Sequence, residues 1–386
     1  MRYNNNSKYI ERRINIMQTK FKRIITSALA LVLSLSISSC HRNNETEEST
    51  NTEKATTTTE ETRESTTTKK TTTATTTEAR LPYAYPLTGV PTDVNVEEEE
   101  LPVLAFMIDN HPAAQPHAGT SMADIVIEQK VEGQYSRLMI IMQSQKPDKI
   151  GPIRSSRYNF IERLAEFDAV YFHVGGSGEA LNYIRNNSWI KDVDGMAAST
   201  RYLWRDNSEG HYIPHNVFTT YSRAKEAAVA YGYGTDSETP DLKFNYELTE
   251  PEHGASAVNE FNIAYNNLNV SQYKYDQASG TYKRSKNGQK MMDSANGKQV
   301  APTNVIAQFA SSYIQDDYGH RGINQIGTGG GYLFTAGKKV DITWKKDSLH
   351  DLTRFYYQDS GEEIVLNPGQ TWIETVEGSG NVNIIS

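Results

Sequence analysis

The sequence predicts an α+β protein, with a mixed α/β N-terminal domain, helices packed on a sheet, followed by a mostly β C-terminal domain. Three observations carry this. Between residue 81 and about residue 235, short apolar runs alternate with stretches of helical spacing, as in a sheet covered by helices. After that, helical spacing fades and short Tyr-, Val- and Thr-bearing runs broken by Gly, Asn and Asp take over. Before residue 81 the composition supports no core at all. The predicted organisation is 1–40 signal segment, 41–80 tether, 81–238 α/β domain and 239–386 β-rich domain, with Ser237-Glu238-Thr239-Pro240 as the linker.

The first segment carries basic residues Lys20, Lys22 and Arg23, then an apolar run over 24–37, then Ile37-Ser38-Ser39-Cys40. An apolar run of this size fits the roughly 7–15 residues of an export-signal core and falls short of the ~20 needed to cross a bilayer. Met17 lies nearer the basic residues than Met1 and is a candidate start. The Ile-Ser-Ser-Cys ending resembles a bacterial lipobox, which implies that Cys40 is the lipidated first residue of the mature chain. Two acyl chains hold firmly where one gives only marginal binding. Cys40 is the sole cysteine of 386 residues, so neither a disulfide framework nor a multi-cysteine metal site is available. From 41 to 80 the chain is built mainly of Thr, Glu, Lys, Asn and Ser and has no Val, Ile, Leu or aromatic residue. Such a stretch cannot offset its chain entropy by burial, so it reads as a disordered tether off the membrane.

Within the α/β part, 101–109 is an apolar run stopped by Asp109-Asn110-His111-Pro112, a buried strand entering a loop. Residues 124–129 and 135–143 read as a hairpin around Val131-Glu132-Gly133-Gln134. A two- or four-residue loop places Glu128 opposite Arg137, and an odd loop breaks that pairing. Gly151-Pro152-Ile153-Arg154-Ser155-Ser156-Arg157 then leads into a helix capped by Ser155 or Ser156. A second buried strand over 169–174 turns through Gly175-Gly176-Ser177-Gly178 into a helix over 179–187, and another helix over 222–231 stops at Gly232. In the β-rich part, strands are expected over 272–276, 281–284, 304–309, 331–334, 340–345 and 371–374. Gly327-Thr328-Gly329-Gly330-Gly331 precedes a strand and no helix, so it reads as a hairpin turn and not a phosphate loop.

With 39 Lys+Arg against 47 Asp+Glu, a net charge of −8, no nucleic-acid partner is expected. Two junctions into helices are candidate anion sites: Arg154 with Arg157, and the turn Gly175, Gly176, Ser177, Gly178. Helix N-termini offer free N–H groups, glycine permits close approach, and arginine adds a two-pronged donor. The structural alternative is a tight turn with both arginines paired to acids such as Glu128 or Glu162. Asp109, His111, Glu128, Glu132, His173, His215 and Asn216 form a second set near strand ends, suited to general acid–base work, with Asp109 and Glu128 as the catalytic candidates. Metal-ligand spacing such as His-Glu-x-x-His is absent, and no metal or cofactor is expected. The 23 tyrosines leave open a sugar- or peptide-binding face in the β-rich part, or plain cross-strand packing.

These residues bring out a resemblance. Pro86-Leu87-Thr88-Gly89, Met107-Ile108-Asp109-Asn110-His111-Pro112, Ala123-Asp124-Ile125-Val126, Val131-Glu132-Gly133, 150–157, Pro214-His215-Asn216, Ile342-Thr343-Trp344-Lys345-Lys346 and 366–373 together resemble the YerB-like family of Gram-positive lipoproteins. Gln134 departs from it, standing where a second glycine is expected. The resemblance covers about residue 82 to the end and implies an α/β part and a β-rich part on the outer membrane face. It brings no established activity. The reading it supports is a lipid-anchored, non-enzymatic protein of the cell membrane's extracellular face that binds an anionic envelope ligand or a protein partner. An enzyme of anionic envelope substrates, transferring a phosphoryl group or polymer with Arg154 and Arg157 as clamp, is the alternative. A transporter's solute receptor ranks third, because such receptors have two α/β lobes.

Overall fold

The structure, a computed structural model, describes residues 80–386. The predicted signal segment, Cys40 and all of the tether but Arg80 lie outside the described residues. The first half contributes β1 (Leu104–Ile108), β2 (Ile125–Lys130), β3 (Ser136–Met142), β4 (Val170–His173) and β5 (Lys191–Asp194). Its helices are α1 (Tyr158–Leu164), α2 (Gly178–Asn186) and α3 (Tyr221–Ala230). The second half adds β6 (Ser256–Ala257), β7 (Glu260–Asn266), β8 (Asn269–Asp276), β9 (Thr281–Lys286), β10 (Gln289–Lys290) and β11 (Asn304–Phe309). It continues with β12 (Gly327–Thr335), β13 (Lys338–Lys346), β14 (Arg354–Tyr357), β15 (Thr371–Val376) and β16 (Val382–Ile384).

One eleven-stranded sheet runs through both halves in the order β6-β13-β12-β11-β15-β2-β3-β1-β4-β5, with β14 on β13. The seam is β15, parallel to β11 on one side and to β2 on the other. Because β1, β2 and β3 are buried on both faces, they read as near-unbroken apolar runs. One face, with Ala105, Met107, Ile127 and Met139, packs with Phe160, Ile161 and Leu164 of α1 and with Ala180 and Ile184 of α2. The other, with Phe106, Val126 and Leu138, packs with α3 and with a five-stranded sheet of order β10-β9-β8-β7-β16. That second sheet sends Phe261, Tyr273 and Tyr282 inward, and Phe261 stacks on Phe334 of β12 at 3.6 Å. Each such fully buried ring contributes roughly 1.5–3 kcal/mol.

Four expectations are corrected. Strands outweigh helices in the first half too, whose helices are three and short. The β2–β3 loop spans the five residues between Lys130 and Ser136, an odd number, so Glu128 faces Leu138 and Arg137 faces Gln129. The N-cap of α1 is Arg157 with no side-chain cap, because Ser156 bridges to Gly176 and its hydroxyl accepts from Tyr171 at 2.8 Å. Finally, 327–331 lie inside β12 and not in a turn. A Cβ on Gly329 would come within 2.5 Å of Trp344 Nε1, and one on Gly331 within 2.5 Å of the Ala307 carbonyl. These glycines permit close packing against neighbours.

Candidate ligand-binding site

Three chain segments are laced together at the end of β1. Asp109 N–H donates to the Pro152 carbonyl at 2.9 Å, Arg154 N–H to Met107 at 2.8 Å and Ile153 N–H to Val217 at 2.6 Å. This lacing brings Asp109, Arg154 and His215 to one point. Asp109 Oδ2 lies 2.6 Å from His215 Nδ1 and 3.2 Å from Arg154 Nε, and Asp109 Oδ1 accepts from the His111 amide at 3.1 Å. Burial pushes the Asp109 carboxyl up, but the charge of Arg137, the His215 hydrogen bond, Arg154 and the His111 amide outweigh it, and the net shift is downward. Asp109 is therefore an anion committed to its neighbours. With Nδ1–H given to Asp109, the outer nitrogen of His215, Nε2, is left to face a ligand. The Nη groups of Arg154, a side chain 27% exposed, have no hydrogen-bond acceptor among the described residues.

Around this point the charges are uneven. Arg157 is clamped by Glu132 through two hydrogen bonds, one of them at 2.9 Å, and donates to its neighbour's carbonyl at Ser156. Burial raises Glu132, yet Arg157 and Arg137 bring it down to about 2. Arg137 donates to the Ser155 carbonyl at 2.7 Å. Lys286, from β9 of the second half, reaches the Asn110 carbonyl at 3.2 Å, and burial together with Arg284 lowers it to about 8. Four cations, Arg137, Arg154, Arg157 and Lys286, thus meet two carboxylates, Asp109 and Glu132. His111 stands among them, lowered by burial, His215, Arg154 and Lys286 against the pull of Asp109.

The other residues singled out in the sequence do different work. Glu128 is fully buried on the inner face: its Oε2 accepts from Arg284 at 2.6 Å, and its Oε1 from Ser136 at 2.6 Å and Asn110 at 3.0 Å. Its acceptor capacity is spent, so the expectation of a catalytic base there is corrected. Arg284 also lies 4.3 Å over the Trp372 ring and 3.7 Å from Glu374, the cross-strand neighbour of Glu128. Glu162, the other acid considered for the arginines, accepts from Gln325 at 2.8 Å instead. His173 is buried between the Gly175 carbonyl at 2.8 Å and Asp192 at 2.5 Å. In the glycine turn, Gly175 N–H donates to Asp194, Ser177 caps α2 through Ala180 N–H, and Ser177 N–H donates to Ser156. That turn fastens α2 to the Arg154–Arg157 segment and spends the amides of Gly175 and Ser177 on protein acceptors. Asn216, fully buried, holds Arg205 at 2.6 Å and Asn207 at 2.6 Å and so fixes the loop carrying His215.

Sequence reasoning grouped Asp109, His111 and His215 but kept Arg154 in a separate anion site, and it missed Lys286, Arg284, Glu374, Tyr135 and Tyr212. Strand periodicity offered one signal: Tyr282, Arg284 and Lys286 share a face, and Tyr282 is a core residue. No cluster of three or more His, Cys, Asp or Glu suited to a metal ion occurs among the described residues.

Fold and site define a strand-dominated, two-part protein whose halves share a sheet and whose polar cluster takes side chains from both. The family models for the N-terminal and C-terminal domains of the protein of unknown function DUF3048 match residues 87–234 and 261–373. The chain belongs to this family. It is 34% identical over 291 residues to "Putative lipoprotein YerB" of Bacillus subtilis (strain 168), covering 75% of this chain and 85% of that protein. The crystal structure of YerB from Bacillus subtilis superposes with a TM-score of 0.69 at 31% identity, over 79% of this chain and all of that one. The family resemblance read from the sequence is thereby shown.

Proposed function

We propose that the protein is a lipid-anchored component of the cell envelope, held at the outer face through Cys40, which binds an anionic envelope ligand at Asp109, His111, Arg154 and His215. The observation that carries this is the half-used Arg154: its Nε is fixed on Asp109 while both Nη groups stay open beside a local excess of positive charge. A guanidinium held in place on one edge binds an oxyanion on the other at little entropic cost. The relative's lipoprotein description supports the anchor, and no helix among the described residues is long and apolar enough to cross a membrane.

The test is thermal stabilisation of the full chain by phosphate, pyrophosphate and teichoic-acid fragments, since a ligand of the folded state raises its melting temperature with concentration. Arg154→Ala should abolish the rise. Arg157→Ala should lower the baseline melting temperature, because Arg157 is already spent on Glu132. Equal rises in wild type and Arg154→Ala would sink the reading. For the anchor, Cys40→Ala should move the chain from the membrane fraction to the medium.

One observation favours a second reading, enzymatic action on that ligand. The 2.6 Å contact between His215 Nδ1 and Asp109 orients an imidazole whose Nε2 can take a proton from water or a hydroxyl group. Phosphate release from an envelope polymer, lost in His215→Gln while binding persists, would establish it.

A further inference from the structure

We propose that the ligand is a phosphorylated sugar, with its phosphate on Arg154 and its ring laid against Tyr135 and Tyr212. This rests on the anion-binding reading above and deepens it. The first observation is a row of four rings through the site. Tyr135 and His111 have centroids 4.8 Å apart, His111 and His215 stack at 4.6 Å with planes 14° apart, and Tyr212 meets His215 edge-on at 5.6 Å. The histidines in the middle are the ones tied to Asp109, while the tyrosines at the ends are 44% and 55% exposed.

Both tyrosines come from closed loops. Val131 N–H donates to the Tyr135 carbonyl at 3.0 Å, and His215 N–H to the Tyr212 carbonyl at 2.6 Å. They are anchored by the stack and by their loops, so contact with a ligand costs little conformational entropy. An exposed tyrosine ring presents an apolar face and a polar edge, which suits the C–H face and the hydroxyls of a pyranose.

The second observation is the charge count. Four cations less two carboxylates leaves an excess of two positive charges, which matches the dianion of a phosphate monoester. Glu128 does not alter the count, since Arg284 neutralises it away from solvent. His111 lies between Arg154 and Lys286, both of which push its proton off, and an anion there would reverse that pressure. A built face for a ring beside a built site for a dianion defines the ligand class better than either alone.

The experiment is calorimetric titration of the full chain with inorganic phosphate, glycerol 3-phosphate, glucose, glucose 1-phosphate and N-acetylglucosamine 1-phosphate. It is repeated with Arg154→Gln and with the double variant Tyr135→Ala/Tyr212→Ala. At least one sugar phosphate should bind about tenfold tighter than phosphate or glycerol 3-phosphate, a difference of about 1.4 kcal/mol. Glucose alone should not bind. The tyrosine double variant should erase the tenfold gain of sugar phosphate over phosphate, and Arg154→Gln should lose binding of both. If phosphate binds but neither sugar phosphate binds tighter, the sugar assignment falls and the anion reading stands. If the gain survives the tyrosine double variant, the rings are not its source and the proposal is overturned. If no anion binds, the anion reading falls with it. Far-ultraviolet circular dichroism of the variants guards against loss of fold, because both tyrosines are exposed.

Discussion

The molecule holds two arginine–carboxylate clusters one residue apart in sequence, since Asp109 belongs to one and Asn110 touches the other. In the inner cluster, Glu128, Arg284 and Glu374 are fully buried, and Arg284 is enclosed by Tyr273, Ser271, Met291 and the Trp372 ring. In the outer one, Asp109 is buried but its partners Arg154 and His215 each keep one side open. The same residue types are therefore saturated in one cluster and only partly used in the other. What separates the two clusters is how much donor and acceptor capacity is left over, not charge or burial of the carboxylate. Tests of this contrast follow from the largest expected effect to the smallest.

Arg284→Ala strips the counter-charge from a fully buried carboxylate and should cost about 3–5 kcal/mol, read as a shift in the urea midpoint. Arg154→Ala, at a partly exposed pair, should cost about 1 kcal/mol or less. Equal losses would erase the distinction between the clusters.

Asp109→Asn should cost about 1–3 kcal/mol at pH 7, because the amide removes the charge and keeps one acceptor oxygen where the His111 amide, His215 and Arg154 use two. Its sign with pH is set by a carboxyl whose folded-state affinity for protons is lowered. Its stabilisation is present above the unfolded pKa and disappears as pH falls through the folded one. Acid unfolding should therefore be less steep in Asp109→Asn.

Glu374 has the opposite sign. Burial and the charge of Glu128 push it up to about 8, so it is mostly protonated at pH 7. Its stabilisation is complete below the unfolded value and is lost as pH rises through about 8. Asp124, raised by burial to about 6, acts the same way at lower pH, and Lys286, lowered to about 8, acts with the opposite sign toward higher pH, so the Glu374 contribution is read as the difference in slope between wild type and the variant. Glu374→Gln should flatten stability from about pH 6 to 8.5, and an unchanged slope would show that another group titrates there. The smallest effect belongs to Tyr135→Ala, expected within about 0.5 kcal/mol of wild type in stability, as for a surface position.

Much of this was legible in the sequence and some was not, for physical reasons. Apolar runs such as 101–109 and 169–174 announce buried strands, and the turn Gly175-Gly176-Ser177-Gly178 announces the start of α2. The pairing of those strands depends on loop parity, and nothing in Val131-Glu132-Gly133-Gln134-Tyr135 fixes an odd count of five. The inner cluster was invisible because Glu128 and Arg284 lie 156 residues apart and meet only when the second sheet closes over the first. Of the tyrosines suspected of forming a binding face in the β-rich half, Tyr265, Tyr273 and Tyr282 are core, while Tyr246, Tyr313 and Tyr318 are exposed. The exposed pair that lines the cluster comes from the loops of the first half.

One feature reaches into how the protein is made. The seam strand Thr371–Val376 sits mid-sheet, bonded in parallel to Asn304–Phe309 and to Ile125–Lys130, a partner 246 residues earlier in the chain. Pairings of such long sequence separation form late and slowly. The sheet cannot close until residues 371–376 are in place, and until then both halves keep an unpaired edge. A product cut short before residue 371 keeps two raw edges, open to proteases and to pairing with other chains.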